Sequence, residues 1–312
     1  PMFNSETSAD NTAVFSPTED FLTNFRKFAS NMRRLLHQID GDVKLKLPSV
    51  EESVLQDVDA CMANSALLVE LDKLVDSWTR TIESITQAQL KKTPVGPGPL
   101  PEIDYWVERS STLTALYEQL DLDAVKAVMV IMSKRGSALV NSFENHRKEL
   151  VHLYIEAKDN VKFLSTLERH FKTITTCTDL NVGADIMLSM MNALRMVWII
   201  SRHYNTDQRM VPLMERIAWL IADKVARRVD YKSLLRRPPA EAIAVFQEAE
   251  RLLQAWESSY FEVRKKIELS ARDDRWEFDR LRLFETTTYM TNICRDLTNV
   301  ANVLTEFHNI FG

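Results

Sequence analysis

Glycine is scarce in this 312-residue chain: there are 6, about 2 % against a usual share of about 7 %. Sheets and hairpins rely on glycine in their tight turns, so the shortage argues against an all-β or Rossmann-type architecture. The six stand at 41, 96, 98, 136, 183 and 312, with no two five apart, which excludes the Gly-x-x-x-x-Gly-Lys phosphate cradle. Gly96-x-Gly98 is followed by Pro101 where a dinucleotide fingerprint needs its third glycine. The three cysteines, Cys61, Cys177 and Cys294, are odd in number and far apart. They form neither a disulfide framework nor a CxxC site, and read as buried thiols of a reducing compartment. Charge of one sign is also lacking. The 39 Lys+Arg against 44 Asp+Glu leave a formal net charge of -5, without the positive field that nucleic acid or an anionic membrane attracts. Protein partners are favoured over nucleic acid. Apolar runs are short, Met196 to Ile200 covering five residues where a membrane span needs about twenty, so membrane insertion is not expected. Pro1-Met2-Phe3-Asn4 offers no basic or apolar leader, so no secretory signal is expected. A leading proline reads as a piece cut from something longer.

What the chain does have is a helical rhythm, with 45 % hydrophobic and 27 % charged residues to support a core. Residues 1–16 are polar and aperiodic and read as a flexible tail. Ser16-Pro17-Thr18-Glu19 then supplies an N-cap, a proline at N1 and a glutamate at N3. Phe21, Phe25, Phe28, Met32, Leu35 and Ile39 follow at alternating steps of 4 and 3. Gly41 and Asp42 close that helix, and Ser49-x-x-Glu52 opens a second helical stretch to about Lys92, carrying Leu68, Leu71, Val75, Trp78, Ile82 and Ile85. The block 93–101 holds four prolines and two glycines and must be a non-helical connector. It divides a bundle segment at 17–92 from a larger helical region at 102–312. A pivot is expected there, exposed, with separately packed helices on either side.

Beyond the connector, Ile103, Trp106, Leu113, Tyr117 and Leu120 keep the rhythm. Helices are expected at 122–134 and 138–157, with a separate stretch from Asp159 to Thr175. Leu180, Ala184, Met187, Met191, Leu194 and Trp198 mark another, and Asn205-Thr206-Asp207 caps one through about Arg228. After Pro238-Pro239 come stripes from Phe246 to Ile267 and from Met290, Ile293, Leu297, Val300, Leu304 and Phe307 to Phe311. A period of 3.5 keeps neighbouring seams face to face at shallow crossing angles. The expected fold is all-α: elongated antiparallel bundles of eight to ten heptad-patterned helices, roughly 30 to 50 Å long.

Chemistry is hard to find. The six histidines give no His-Glu-x-x-His, and Glu149-x-x-His152 has no second copy to complete a di-iron bundle site; it reads as a solvated edge. Asp273-Asp274-Arg275-Trp276-Glu277 resembles the magnesium–diphosphate motif of all-α terpenoid synthases, but their second, downstream motif is missing. A charged helix face, with Asp274, Glu277 and Asp279 among Arg272, Arg275, Arg280 and Arg282, accounts for it better. Met187, Met190, Met191 and Met196 read as core filling. Arg195, Arg202 and Arg209 read as a solvated edge, and Trp78, Trp106, Trp198, Trp219 and Trp256 as core anchors. No catalytic, cofactor-binding or metal-ligating residue is assigned, and no cofactor is expected.

Several strings nevertheless look familiar. Leu100-Pro101-Glu102-Ile103-Asp104-Tyr105-Trp106 resembles the start of the dynein heavy chain N-terminal stem, axonemal in flavour. Asn160 to Arg169, Met196 to Asn205, Met214 to Trp219, Arg275 to Arg280 and Glu306 to Gly312 continue the likeness, which covers about residue 66 onward. The resemblance implies a non-catalytic scaffold of a microtubule motor whose ATPase ring lies far downstream. It implies contacts with WD-repeat intermediate chains, light chains, other heavy chains and a docking complex on doublet microtubules. It places the protein in the cytoplasm and cytoskeleton, at the axoneme of a cilium or flagellum. A generic helical tether is the alternative that periodicity alone supports equally.

Overall fold

The computed structural model describes residues 25, 28, 32, 45–50, 52–229, 232, 236–269 and 275–311. The expected tail, the cap at 16–19, most of the Phe21–Ile39 stripe, the Gly41-Asp42 stop and the Asp273-Asp274 pair lie outside them; Phe25, Phe28 and Met32 are helical and exposed. Among the described residues every regular element is a helix, so the all-α expectation holds.

The stretch expected to run unbroken to Lys92 is three helices: α1 (Glu52–Leu55), α2 (Val58–Ala63) and α3 (Ser65–Lys91). Asp57 and Asn64 divide it. Asp57 Oδ1 accepts from Ala60 N at 3.0 Å and Asn64 Oδ1 from Leu67 N at 3.1 Å, each capping the helix that follows instead of continuing the one before. The connector leaves residues 92–99 outside any helix, with Gly96 at φ 119° and Gly98 at φ 81°, backbone that a side chain would strain. Then come α4 (Leu100–Leu120) and α5 (Asp123–Arg135). Gly136, at φ 72°, ends α5 as Ser137 N reaches back to Met132 O at 3.1 Å.

The expected break near Asp159 does not exist. α6 (Leu139–Thr176) is one helix of 38 residues, about 57 Å at 1.5 Å per residue. It holds no glycine or proline, and its buried positions Leu150, Leu153, Ala157, Asn160, Leu164, Leu167, Phe171 and Ile174 alternate steps of 3 and 4 straight through. Among the described residues there follow α7 (Leu180–Ile200), α8 (Asp207–Arg228), α9 (Pro239–Leu269) and α10 (Arg280–Phe311).

α6 is the spine. Its N-terminal half receives α3 and α4, as in Trp78 against Phe143 and Tyr117 stacked on Tyr154. Its C-terminal half receives α7 and α8, as in His170 Nε2 to Ser189 Oγ at 3.1 Å and Lys224 Nζ to Thr175 O at 2.9 Å. α9 packs between α7 and α10. Helices before and after the connector therefore share α6 and one continuous apolar core instead of forming separate units. The connector is not wholly exposed either, since Gly98 and Pro99 are buried.

Two helices, α7 and α10, call for a closer comparison with the expected pattern. α7 is long and apolar enough, by length and composition, to cross a membrane, although no run in it exceeds five apolar residues. Met187, Met190, Met191 and Leu194 on it are buried against α6 and α9, whereas Val182, Met196, Ile199 and Ile200 are exposed. On α10 the large apolar stripe is only part of the seam, Met290 and Leu297 being half-buried against the core. Val300, Phe307 and Phe311 are exposed, while Leu283, Phe284, Thr287, Cys294 and Ala301 are buried. Small residues let α9 approach closely, and Thr291, Thr298 and Thr305 donate their hydroxyls to the carbonyls of Thr287, Cys294 and Ala301 at 2.9 Å, which hides those hydroxyls within the helix.

The seam assignments predict contrasting costs. Leu164→Ala in α6 should lower unfolding stability by about 2–5 kcal/mol. Phe307→Ser, at a position 58 % exposed, should change it by no more than about 0.5 kcal/mol. Urea unfolding of the two variants checks both.

Candidate functional site

At the midpoint of α6 the ends of both helical groups meet, and polar side chains gather in the core. Glu102 is in the first turn of α4, followed by Tyr105, Trp106 and Arg109 on the same helix. Glu156 and Asn160, one turn apart, come from α6. Ser201, His203 and Tyr204 sit in the loop joining α7 to α8, and Arg216 lies on α8. Ser201 shapes that loop: its hydroxyl accepts from His203 N at 3.2 Å and Tyr204 N at 3.1 Å, and donates to Asn160 Oδ1 at 3.2 Å.

Tyr204 stands at the centre, fully buried. Its hydroxyl accepts from Trp106 Nε1 at 2.7 Å and donates to Glu102 Oε1 at 2.6 Å. Glu102 Oε2 faces Arg216 Nε at 3.5 Å. Beside this chain, Glu156 receives His203 Nδ1 at 3.1 Å and Arg109 Nη2 at 3.5 Å. Arg109 also donates to the Tyr105 hydroxyl and lies 5.2 Å over the Trp106 ring, and His203 meets that ring edge-on at 4.6 Å.

The electrostatics follow from burial and pairing. Desolvation raises the Glu102 carboxyl above its ordinary value, against the pull of Tyr204, Arg216, His203 and Arg209. Burial and the adjacent Glu102 carboxylate push the Tyr204 hydroxyl well up, so it remains a neutral donor. Glu156 is lowered, first by its hydrogen bond from His203, while desolvation opposes. These groups hold one another in place.

Arg216 extends the joint to the connector. Its Nη1 donates to Gly96 O at 2.9 Å and Gly98 O at 3.2 Å, and its Nη2 to Pro94 O at 3.5 Å. Trp219, one turn on, lies against Gly98, where an added Cβ would meet its ring at 3.5 Å. That explains why Trp219 is 38 % exposed instead of a core anchor as expected: it covers a surface turn. Trp78, Trp106, Trp198 and Trp256 are buried as expected.

The candidates weighed from sequence do not converge. Glu149 and His152 are exposed on α6. Arg195 and Arg202 do not share a helical edge with Arg209, because Arg202 lies in the α7–α8 loop. Residues 275–279 form no helix, which corrects the expected charged helix face. Trp276 and Phe278 are buried there, Phe278 edge-on to Trp198 at 5.0 Å. The charges pair across elements: Arg275 with Asp207 at 2.8 Å, and Arg282 with Glu215 at 2.7 and 3.0 Å. Among the described residues, an open cleft of about 580 Å³ beside Trp198 and Ile199 is lined by one carboxylate, Asp207, which is paired with Arg275. The described residues bring together no group of three His, Cys, Asp or Glu able to hold a metal ion. Of the cysteines, Cys61 and Cys294 are buried and Cys177 partly so; burial pushes the Cys294 thiol up to about 11.

Glu102, Glu156, Tyr204 and Arg216 were invisible to motif reading because they come from four separate segments. Two signals existed: a glutamate followed by an aromatic pair at 102–106, and an arginine embedded in the apolar Met214–Trp219 run. Tyr204→Phe should lower stability by about 1–3 kcal/mol, the usual cost of stranding buried polar partners, read as a urea midpoint. Because the folded Glu102 value lies above the ordinary 4.5, wild-type stability should fall as pH rises from about 4.5 through that raised value. Glu102→Gln should remove this decline, while the opposite acid-side loss due to Glu156 persists; thermal melts across pH test it.

Comparison with known proteins places the joint in context. Residues 68–312 match the family model described as dynein heavy chain, N-terminal region 1. The chain is 48 % identical over 294 residues to human dynein axonemal heavy chain 10, and 42 % identical over 295 residues to the dynein-1-alpha heavy chain of the flagellar inner arm I1 complex of Chlamydomonas reinhardtii. It is 26 % identical over 297 residues to the dynein beta chain of the flagellar outer arm of that alga. The first two alignments cover 94 % of this chain and the third 92 %, yet each covers 6 % of the relative. Glu102 and Trp106, Ser201 to Tyr204, and Arg216 fall in three of the strings that carried the resemblance. A helical chain whose matched region contains both halves of the bundle and the joint between them belongs to the dynein heavy chain N-terminal region 1 family.

Proposed function

We propose that this chain is part of the N-terminal stem of an axonemal dynein heavy chain, acting in a cilium or flagellum as a non-catalytic scaffold that carries load between the motor's distant ATPase ring and its attachment. The family match over residues 68–312 carries the reading. Long helices packed on the continuous α6 spine support it, since close-packed interiors transmit strain. The partners follow from the same reading: WD-repeat intermediate chains, light chains, other heavy chains and a docking complex on doublet microtubules. Exposed apolar positions on α10, such as Ile310 at 72 %, are compatible with contacts outside this chain.

Capture from detergent-extracted axonemes tests it. The tagged chain should retain dynein intermediate, light or heavy chains, identified by mass spectrometry, and should hydrolyse no ATP above background. Recovery of none of these subunits, or magnesium-dependent turnover of a prenyl diphosphate, would sink the proposal.

A further inference from the structure

The connector and α8 are joined by more contacts than a surface loop needs. Arg216 reaches three connector carbonyls, Pro94, Gly96 and Gly98, and the buried carboxylate of Glu102 in the turn that follows. Its guanidinium serves both because it is planar, with five donors in a fixed fork. Two of the three carbonyls belong to positive-φ glycines on either side of Pro97, so the clasp depends on local backbone that only glycine adopts easily.

The position of the clasp gives it a mechanical meaning. Among the described residues, α3 and α4 pack on α6, and no extensive helix–helix packing joins either one directly to α7, α8, α9 or α10. The two halves therefore touch through α6 itself, through the Trp106–Tyr204–Glu102 chain with His203 edge-on to Trp106, and through Arg216 with Trp219 against Gly98. Alone, α6 could bend or let α4 slide along its seam; with the clasp closed, the connector end of α3 and α4 is tied to α8. We propose that Arg216 is a latch that locks the angle between the two halves of the chain, and that its release frees a hinge at the middle of α6. The proposal rests on the stem reading for its role under load, and it makes the Pro/Gly connector, which lies within one half, the catch that the latch on α8 engages.

Hydrogen exchange and small-angle scattering on the full chain test the latch. Arg216→Ala should speed amide exchange about tenfold in three places: residues 93–99, the loop at 201–206, and α6 around Glu156 and Asn160. It should also enlarge the scattering envelope, with the α9–α10 seam unchanged. Arg216→Lys keeps a charge for Glu102 but lacks the fork for the carbonyls, so it should fall between wild type and Arg216→Ala, and it supplies the same readout if the alanine variant does not fold. Faster exchange confined to 93–99, with α6 and the scattering as in wild type, would reduce Arg216 to a loop cap and overturn the proposal. Both measurements need no partner, so failure to capture dynein subunits would refute the stem reading and leave the latch standing.

Discussion

Helix α6 must stay continuous for 38 residues while serving two sets of neighbours. At its midpoint those sets end, and the ends of helices and loops bring backbone amides and carbonyls that need partners. The structure meets this constraint with the polar joint. Ser201 satisfies loop amides, Asn160 anchors Ser201 to α6, and Arg216 takes up connector carbonyls. The apolar seam resumes at Leu164. Architecture on either side depends on this crossing, because α6 is the one element that both halves use extensively.

The joint contributes geometry more than stability. Burying Glu102 is unfavourable enough to raise its carboxyl despite Tyr204 and Arg216, and buried ion pairs of this kind often add nothing over well-packed apolar groups. What they do add is a single allowed arrangement: a slipped register would strand Glu102, Trp106 Nε1 and Tyr204 without partners. The many exposed pairs, such as Lys266 with Glu262 and Arg227 with Asp223, contribute little by comparison.

Much of the bundle was legible one helix at a time. The stripe from Leu68 to Ile82 on α3 and that from Phe246 to Ile267 on α9 are buried as their spacing requires. The stripe on α10 misled because spacing marks large apolar residues, whereas close packing against α9 selected Thr287, Cys294 and Ala301. α6 misled in the other direction: Asp159-Asn160 looks like punctuation, but the Asn160 side chain is engaged by Ser201 and does not compete with the helix. Trp276 was read as part of a charged face and is buried with Phe278 and Tyr260.

Local chemistry in the chain determined that it would be helical, where the Pro/Gly connector interrupts it and which faces of α3, α6 and α9 are apolar, because helix periodicity and turn residues act over a few positions. Tertiary structure alone decided which seams meet, that the connector is clasped, and that Glu102, Glu156, Tyr204 and Arg216 share one site. Those residues lie up to 114 positions apart, from Glu102 to Arg216, and long-range pairing leaves no periodic trace. The requirement that buried polar atoms find partners selects among packings of the whole chain, and so it becomes visible once the helices are assembled.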